Sequence, residues 1–358
     1  MLSNYLLVAV RNLKRHLTYT ALNTFGLALG IACSVLIFML VRYHFSFDRF
    51  HRHIERLAII GTEIRLEQVT KENNVPYPMS LALRQEYAFL EKTAMISARN
   101  NTLVTIAPEG QVPVKFSEES ARAMAEPELF EMFDFPLVRG NLDDFRQPQT
   151  ALLTEKMALK YFGSTDAALN KSFKVNNFVD YRVVGVLRDF PQNTDLGDYT
   201  VFTSWATMTA DSTNGTIKSW GGINGGTHCF VLFREGYSAA HLEAAFPAFR
   251  EKYFHPQVRE WWYHALPMQG AHFDRDYGFG INKKHVLVLA LIGLFLIITA
   301  CVNFVNMATA QALNRAREVG VRKTMGGTRS QLFWQFMTET GVIVSCSLVV
   351  GLILARLA

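Results

Sequence analysis

The chain has 358 residues, 49% of them hydrophobic and only 19% charged, with a formal net charge of +5. The apolar residues fall in long runs, which argues against a wholly soluble chain. The positive balance does not mark a nucleic-acid binder: Tyr43–Lys284 carries 26 Lys+Arg against 29 Asp+Glu, and the rest of the chain 10 against 2.

Residues 1–20 read as an amphipathic helix lying on the membrane surface. Leu2, Leu6, Ala9, Leu13 and Leu17 recur at three- and four-residue steps, while Asn4, Arg11, Asn12 and Arg15 fall off that stripe. Residues 21–42 form the first predicted transmembrane helix, with no charge between Ala21 and Val41. The apolar stretch exceeds the roughly 7–15 residues of a signal peptide, and no small-x-small cleavage site follows it. Within it Gly26, Gly30 and Ser34 stand four residues apart, a spacing that lets a second helix approach closely.

Residues 43–284 form a large domain with mixed strand and helix signals. Strands are expected at Leu57–Leu66, Leu103–Ile106, Val112–Phe116, Thr150–Leu153 and His228–Phe233, with a hairpin of Lys171–Val175 and Tyr181–Leu187 turning at Asn176-Asn177. Helices are expected at Met79–Tyr87, Glu126–Phe133, Glu155–Phe162 (closed by Gly163) and His241–Tyr253. The fold class is therefore α-helical membrane protein with a large α+β extracytoplasmic domain in two lobes. Cys229 is the only cysteine in that domain, so it must stand on its own core without an internal disulfide. The sequence holds no GxxxxGK[ST], HExxH, CxxC or GxSxG motif. His44, His51 and His53 cluster after the first helix but fit no standard metal spacing. No catalytic, cofactor or metal site is expected.

Residues 285–310 form the second transmembrane helix, with Asn303 and Asn306 toward its far end, and residues 333–358 the third, which takes Glu339 into the interface. Between them, residues 311–332 carry Arg315, Arg317, Arg322, Lys323 and Arg329 against Glu318 alone. Basic short loops stay in the cytoplasm, so the N-terminus and this connector are inside and residues 43–284 outside. The connector's composition suits a helix stopped at Gly326-Gly327, and Thr328-x-x-Gln331 fits the capping box that opens the next helix. A basic helical elbow of this kind suits an acidic groove on a cytoplasmic partner.

"NRAREVGVRKTMGGTRSQLFWQFMTET" resembles the cytoplasmic coupling segment of the MacB/FtsX-like permeases of ABC transporters, and "CVNFVNMATA" the end of their second membrane helix. "NYLLVAVRNLKRH" and "TFGLALGIAC" resemble the family's interfacial and first membrane helices; "FSFDRFH", "LTEKMALKYFG" and "YRVVGVLRDFPQNT" resemble its periplasmic domain. The resemblance implies a permease without ATPase activity, in the inner membrane, moved by a cytoplasmic ABC ATPase that binds the ATP. It implies that this motion reaches an outer domain that expels a substrate or regulates an outside partner such as a periplasmic adaptor or a cell-wall enzyme. It places Arg317, Glu318, Gly320, Arg322, Lys323 and Gly326 at the ATPase contact. Family units carry four membrane helices and often occur twice, so the chain is expected to be one unit of a longer protein or to pair with a second permease unit. The alternative is a membrane-anchored sensor whose outer domain binds a ligand; co-purification with an ATPase separates the two.

Overall fold

The computed structural model describes residues 2–107, 110, 112–119, 122–210, 215–223, 225–253, 258–314, 316–326 and 328–358. They divide into two compact units, Met1–Phe45 with Lys283–Ala358, and Ser46–Asn282.

The first unit is helical: α1 (Leu2–Arg15), α2 (Leu17–Phe45), α10 (Lys283–Asn314), α11 (Ala316–Thr324) and α12 (Arg329–Leu357). Of these, α2, α10 and α12 are long and apolar enough to cross a membrane. The surface helix expected over 1–20 breaks at His16, and residues 17–20 open α2; the Thr20 hydroxyl, 3.1 Å from Leu13 O, bridges the break. The first membrane helix also runs past residue 42 to Phe45, because Arg42, Tyr43 and His44 continue the helix beyond the apolar run. The third begins at Arg329 rather than 333, where its capping residue sets the start.

The second unit is built on thirteen strands: β1 (Leu57–Arg65), β2 (Val69–Glu72), β3 (Leu90–Arg99), β4 (Thr102–Ile106), β5 (Val114–Glu118), β6 (Arg122–Ala125) and β7 (Leu137–Gly140). Then come β8 (Thr150–Thr154), β9 (Ser172–Val175), β10 (Val179–Leu187), β11 (Val201–Ser204), β12 (Thr227–Phe233) and β13 (Trp261–Pro267). Among the described residues, seven α-helices accompany them: α3 (Met79–Glu86), α4 (Glu128–Met132), α5 (Glu155–Phe162), α6 (Thr165–Ala168), α7 (Ala206–Thr209), α8 (Ala239–Lys252) and α9 (Met268–Ala271). The strands form one mixed sheet in the order β13-β1-β12-β3-β6-β11-β8-β10-β9-β4-β5, with β2 on β1 and β7 on β10. The β6–β11 and β8–β10 pairs are parallel.

Local chemistry explains several elements. Gly163 closes α5 in the left-handed conformation at φ +81°. Asn176 and Asn177 take φ +50° and +60° between β9 and β10, the signature of a type I′ hairpin turn. The expected two lobes take a specific form in the cores. One face of the sheet carries a core shared by both halves, including Ile59, Ile96, Leu152, Val184 and Phe202. The opposite face carries two separate cores: Ile60, Met95, Val231 and Phe249 in one, and Leu153, Val175, Val183 and Val201 in the other. Alternation along each strand sends neighbouring residues to opposite faces, so Ile59 and Ile60 serve different cores.

Candidate functional site

The connector forms an elbow of two helices and a capped turn. α11 ends at Thr324, and Gly326 follows at φ +90°, with its N–H 3.3 Å from Lys323 O. That backbone conformation is open to glycine and strained for a β-branched side chain. Thr328 then caps α12 reciprocally: its hydroxyl accepts the Gln331 N–H at 3.4 Å, and Gln331 Oε1 accepts the Thr328 N–H at 3.1 Å. Two orphan donors at the helix start are thereby satisfied.

Lys323, Gly320 and Gly326 are exposed, and a Cβ added at either glycine would meet nothing within 4 Å. Among the described residues of this unit, nothing therefore requires glycine at position 320. Arg317, Glu318 and Arg322 lie on α11, their side chains outside the described residues, as are Arg315 and Gly327. The structure adds two residues that charge alone does not reveal. Val321 and Met325, four positions apart, are 55% and 82% exposed. An exposed apolar pair within a segment rich in basic residues suits a protein interface with an apolar centre and a polar rim. The sequence signal was available as two apolar residues at helical spacing inside a charged segment.

Behind the elbow, α12 is tied to α1. Glu339 is buried at 5% exposure in α12, and the Asn12 side-chain amide donates to its Oε1 at 2.5 Å. Asn12 therefore turns to α12 rather than facing away from the apolar stripe, and Glu339 is enclosed rather than left at the interface. A carboxylate in a membrane helix is costly unless such a partner meets it.

α2 packs between the other two membrane helices through small residues on opposite faces. Gly26, Gly30 and Ser34 face α10: a Cβ at Gly30 would fall closer than 3.0 Å to the Ala300 Cβ, and the Ser34 hydroxyl donates to Gly293 O at 2.9 Å. At Gly26 the fit is looser, with Asn303 Nδ2 3.9 Å from an added Cβ. Ala28 faces α12, where a Cβ at Gly351 would lie 2.9 Å from Ala28 O. Backbones this close gain van der Waals contact where no hydrophobic drive operates.

Residues 20–249 match the MacB-like periplasmic core domain family, and residues 290–358 match the FtsX-like permease C-terminal family. A crystal structure of a domain assigned to a permease protein from Porphyromonas gingivalis superposes with a TM-score of 0.51 at 21% identity, covering 61% of this chain and 91% of that one. The periplasmic region of MacB from Actinobacillus actinomycetemcomitans aligns at a TM-score of 0.40 and 14% identity, covering 57% and 87%. No curated protein sequence matches the chain. The first family match alone runs through well over half of the 358 residues and the second takes in the elbow and α12; the chain belongs to the MacB/FtsX-like permease family.

Proposed function

We propose that this chain is a permease subunit that couples ATP hydrolysis by a cytoplasmic ABC ATPase to movement of its outer domain, for extrusion of a substrate or regulation of an extracytoplasmic partner. Family membership implies an ABC ATPase partner and a bilayer setting. The observation that carries the reading is the elbow, where Val321 and Lys323 on α11 and Met325 just beyond it are exposed ahead of the capped start of α12. Movement imposed there passes to α12, through Glu339 and Asn12 to α1, and through the Gly351 contact to α2. The charge partition supports a cytoplasmic N-terminus and connector in the inner membrane, with residues 43–284 outside. A second permease unit, and an adaptor or cell-wall enzyme, belong to this reading as partners.

A pull-down of the candidate ABC ATPase in detergent tests it. Arg322→Glu with Lys323→Glu removes rim charge, while Arg315, Arg317 and Arg329 remain to hold the connector inside. Gly320→Leu adds a helix-favouring side chain into open space, so it should not lower stability and should obstruct docking alone. Each change should weaken association about tenfold, about 1.4 kcal/mol, the first through lost steering by rim charge and the second by steric overlap. Correctly inserted variants that bind at wild-type affinity would refute the coupling role.

A further inference from the structure

Two motifs noted in the sequence, "FSFDRFH" (45–51) and "PQNT" (191–194), take no part in the elbow. In the outer unit they meet each other and a third segment. Ser46 is the first residue after α2, and Asn282 the last before α10, so the chain enters and leaves the outer domain at these two points.

Asp48 lies at the centre, buried at 2% exposure and held at φ +54°, a left-handed conformation that Asp and Asn tolerate better than most residues. Its Oδ1 accepts the Thr194 hydroxyl, its Oδ2 the Asp195 N–H at 3.4 Å, and its own N–H donates to Asn193 O at 3.0 Å. The Asn193 amide donates to Ser46 O at 3.0 Å. From the other end of the domain, His272 Nδ1 lies 3.2 Å from Asp195 Oδ1, and its ring stacks on Phe47 with centroids 3.5 Å apart. Ile281 N–H donates to His272 O at 3.2 Å, and a Cβ at Gly280 would fall 2.5 Å from His272 Cε1, so the last turn before α10 is closed onto the same ring. His51 braces the cluster from behind: Nδ1 accepts the Asp134 N–H at 3.0 Å, and the ring stands edge-on to Phe133 and Phe135. The loop 193–196 that joins the entry and exit segments lies between β10 and β11, and Leu196 enters the core shared by both halves of the sheet.

We propose that Phe47, Asp48, Thr194, Asp195 and His272 form a clasp that holds the entry and exit segments as one rigid body and delivers their displacement to the centre of the sheet. These are positioning residues. The transmission rests on the coupling function proposed above, whereas the rigidity does not. Without the clasp, a displaced helix would bend the segment following it instead of moving the sheet. With it, the load enters through β10 and β11, the two strands flanking β8.

The test uses the full chain in nanodiscs, with its native cysteines replaced and spin labels at Arg49→Cys and Arg275→Cys, both exposed positions on the two sides of the clasp. The distance between labels should be single and narrow. Asp48→Ala, which strands the Thr194 and Asp195 donors, and Phe47→Ala, which removes the stack, should each broaden it at least twofold. Asp48→Asn keeps an acceptor and tolerates the positive φ, so it should restore the narrow distribution. Thermal unfolding of each variant identifies any that fails to fold, and Phe47→Ala, changed at a half-buried position, then carries the comparison. Alanine variants as narrow as wild type, or Asp48→Asn as broad as Asp48→Ala, would overturn the clasp. In a second arm with the ATPase, the folded alanine variants should keep ATPase binding and lose the nucleotide-dependent change across the sheet. A wild-type chain that binds no ATPase defeats the coupling function while leaving the distance result intact.

Discussion

Replacing Gly30 by alanine tests whether close approach of α2 and α10 holds the membrane unit together. The added Cβ would fall closer than 3.0 Å to the Ala300 Cβ, against about 3.5–4.0 Å for an unstrained carbon pair. The helices must therefore separate by at least about 0.5 Å, at an overpacking cost of about 1–3 kcal/mol. Alanine also recovers about 0.8–1 kcal/mol of helix propensity over glycine, so the net change runs from neutral to about 2 kcal/mol destabilising. Gly26→Ala is the internal control. Its nearest neighbour would be Asn303 Nδ2 at 3.9 Å, an ordinary contact, so only the propensity gain of up to about 1 kcal/mol remains. The assay is unfolding of the full chain in mixed detergent micelles, titrated with SDS. Gly30→Ala should fall below Gly26→Ala by about 1–3 kcal/mol. Adding Ala300→Gly to Gly30→Ala should recover most of that gap, less the propensity lost on α10. Two variants within about 0.5 kcal/mol of each other, or no recovery in the double variant, would refute the close-approach reasoning.

Topology is checked by single cysteines at exposed Gly225, beside Gly226, and at Ser330 in intact spheroplasts: an impermeant reagent should label the first alone, and labelling of the second alone would reverse the orientation. The Lys252 ammonium and then the Tyr253 hydroxyl, both hydrogen-bonded to Glu86, hold its carboxyl below the ordinary glutamate value of 4.5. Its contribution to stability is thus present above pH 4.5 and lost as pH falls through the lowered value; Glu86→Gln should make acid unfolding of the outer domain shallower, and an unchanged profile would count against the pair. Burial pushes the Cys229 thiol up, well above its ordinary value, so with the other cysteines replaced it should resist Ellman's reagent until the domain unfolds; complete reaction in the folded protein would contradict its place in the core.

Signals that act within a few residues were legible in the chain. The Thr328–Gln331 cap joins positions three apart, the Asn176–Asn177 turn needs only two residues that accept positive φ, and Gly163 stops α5 by its own backbone freedom. The membrane helices were legible because a bilayer requires about 20 apolar residues in a row whatever lies beside them. Other elements carried no such mark. β2, β3, β6, β7, β11 and β13 escaped the pattern, and for two of them burial is the reason: β6 is four residues, Arg-Ala-Met-Ala, with every one buried, and β11 likewise has no exposed position. A central strand covered on both faces shows no alternation, so only its neighbours reveal it.

At the candidate site the division is similar. Charge, the Gly-Gly break and the cap of the elbow belong to one continuous segment, and the sequence by itself determined them. The partners that tie the elbow and the domain to the rest lie far apart: Asn12 meets Glu339 and Phe47 meets His272 across most of the chain. In the sequence, Asn12 is one more polar residue of a surface helix and His272 one more loop residue. Their partners were decided by tertiary packing alone, because a buried polar group takes whichever complementary group the fold brings within about 3 Å, and that meeting depends on how every intervening element packs.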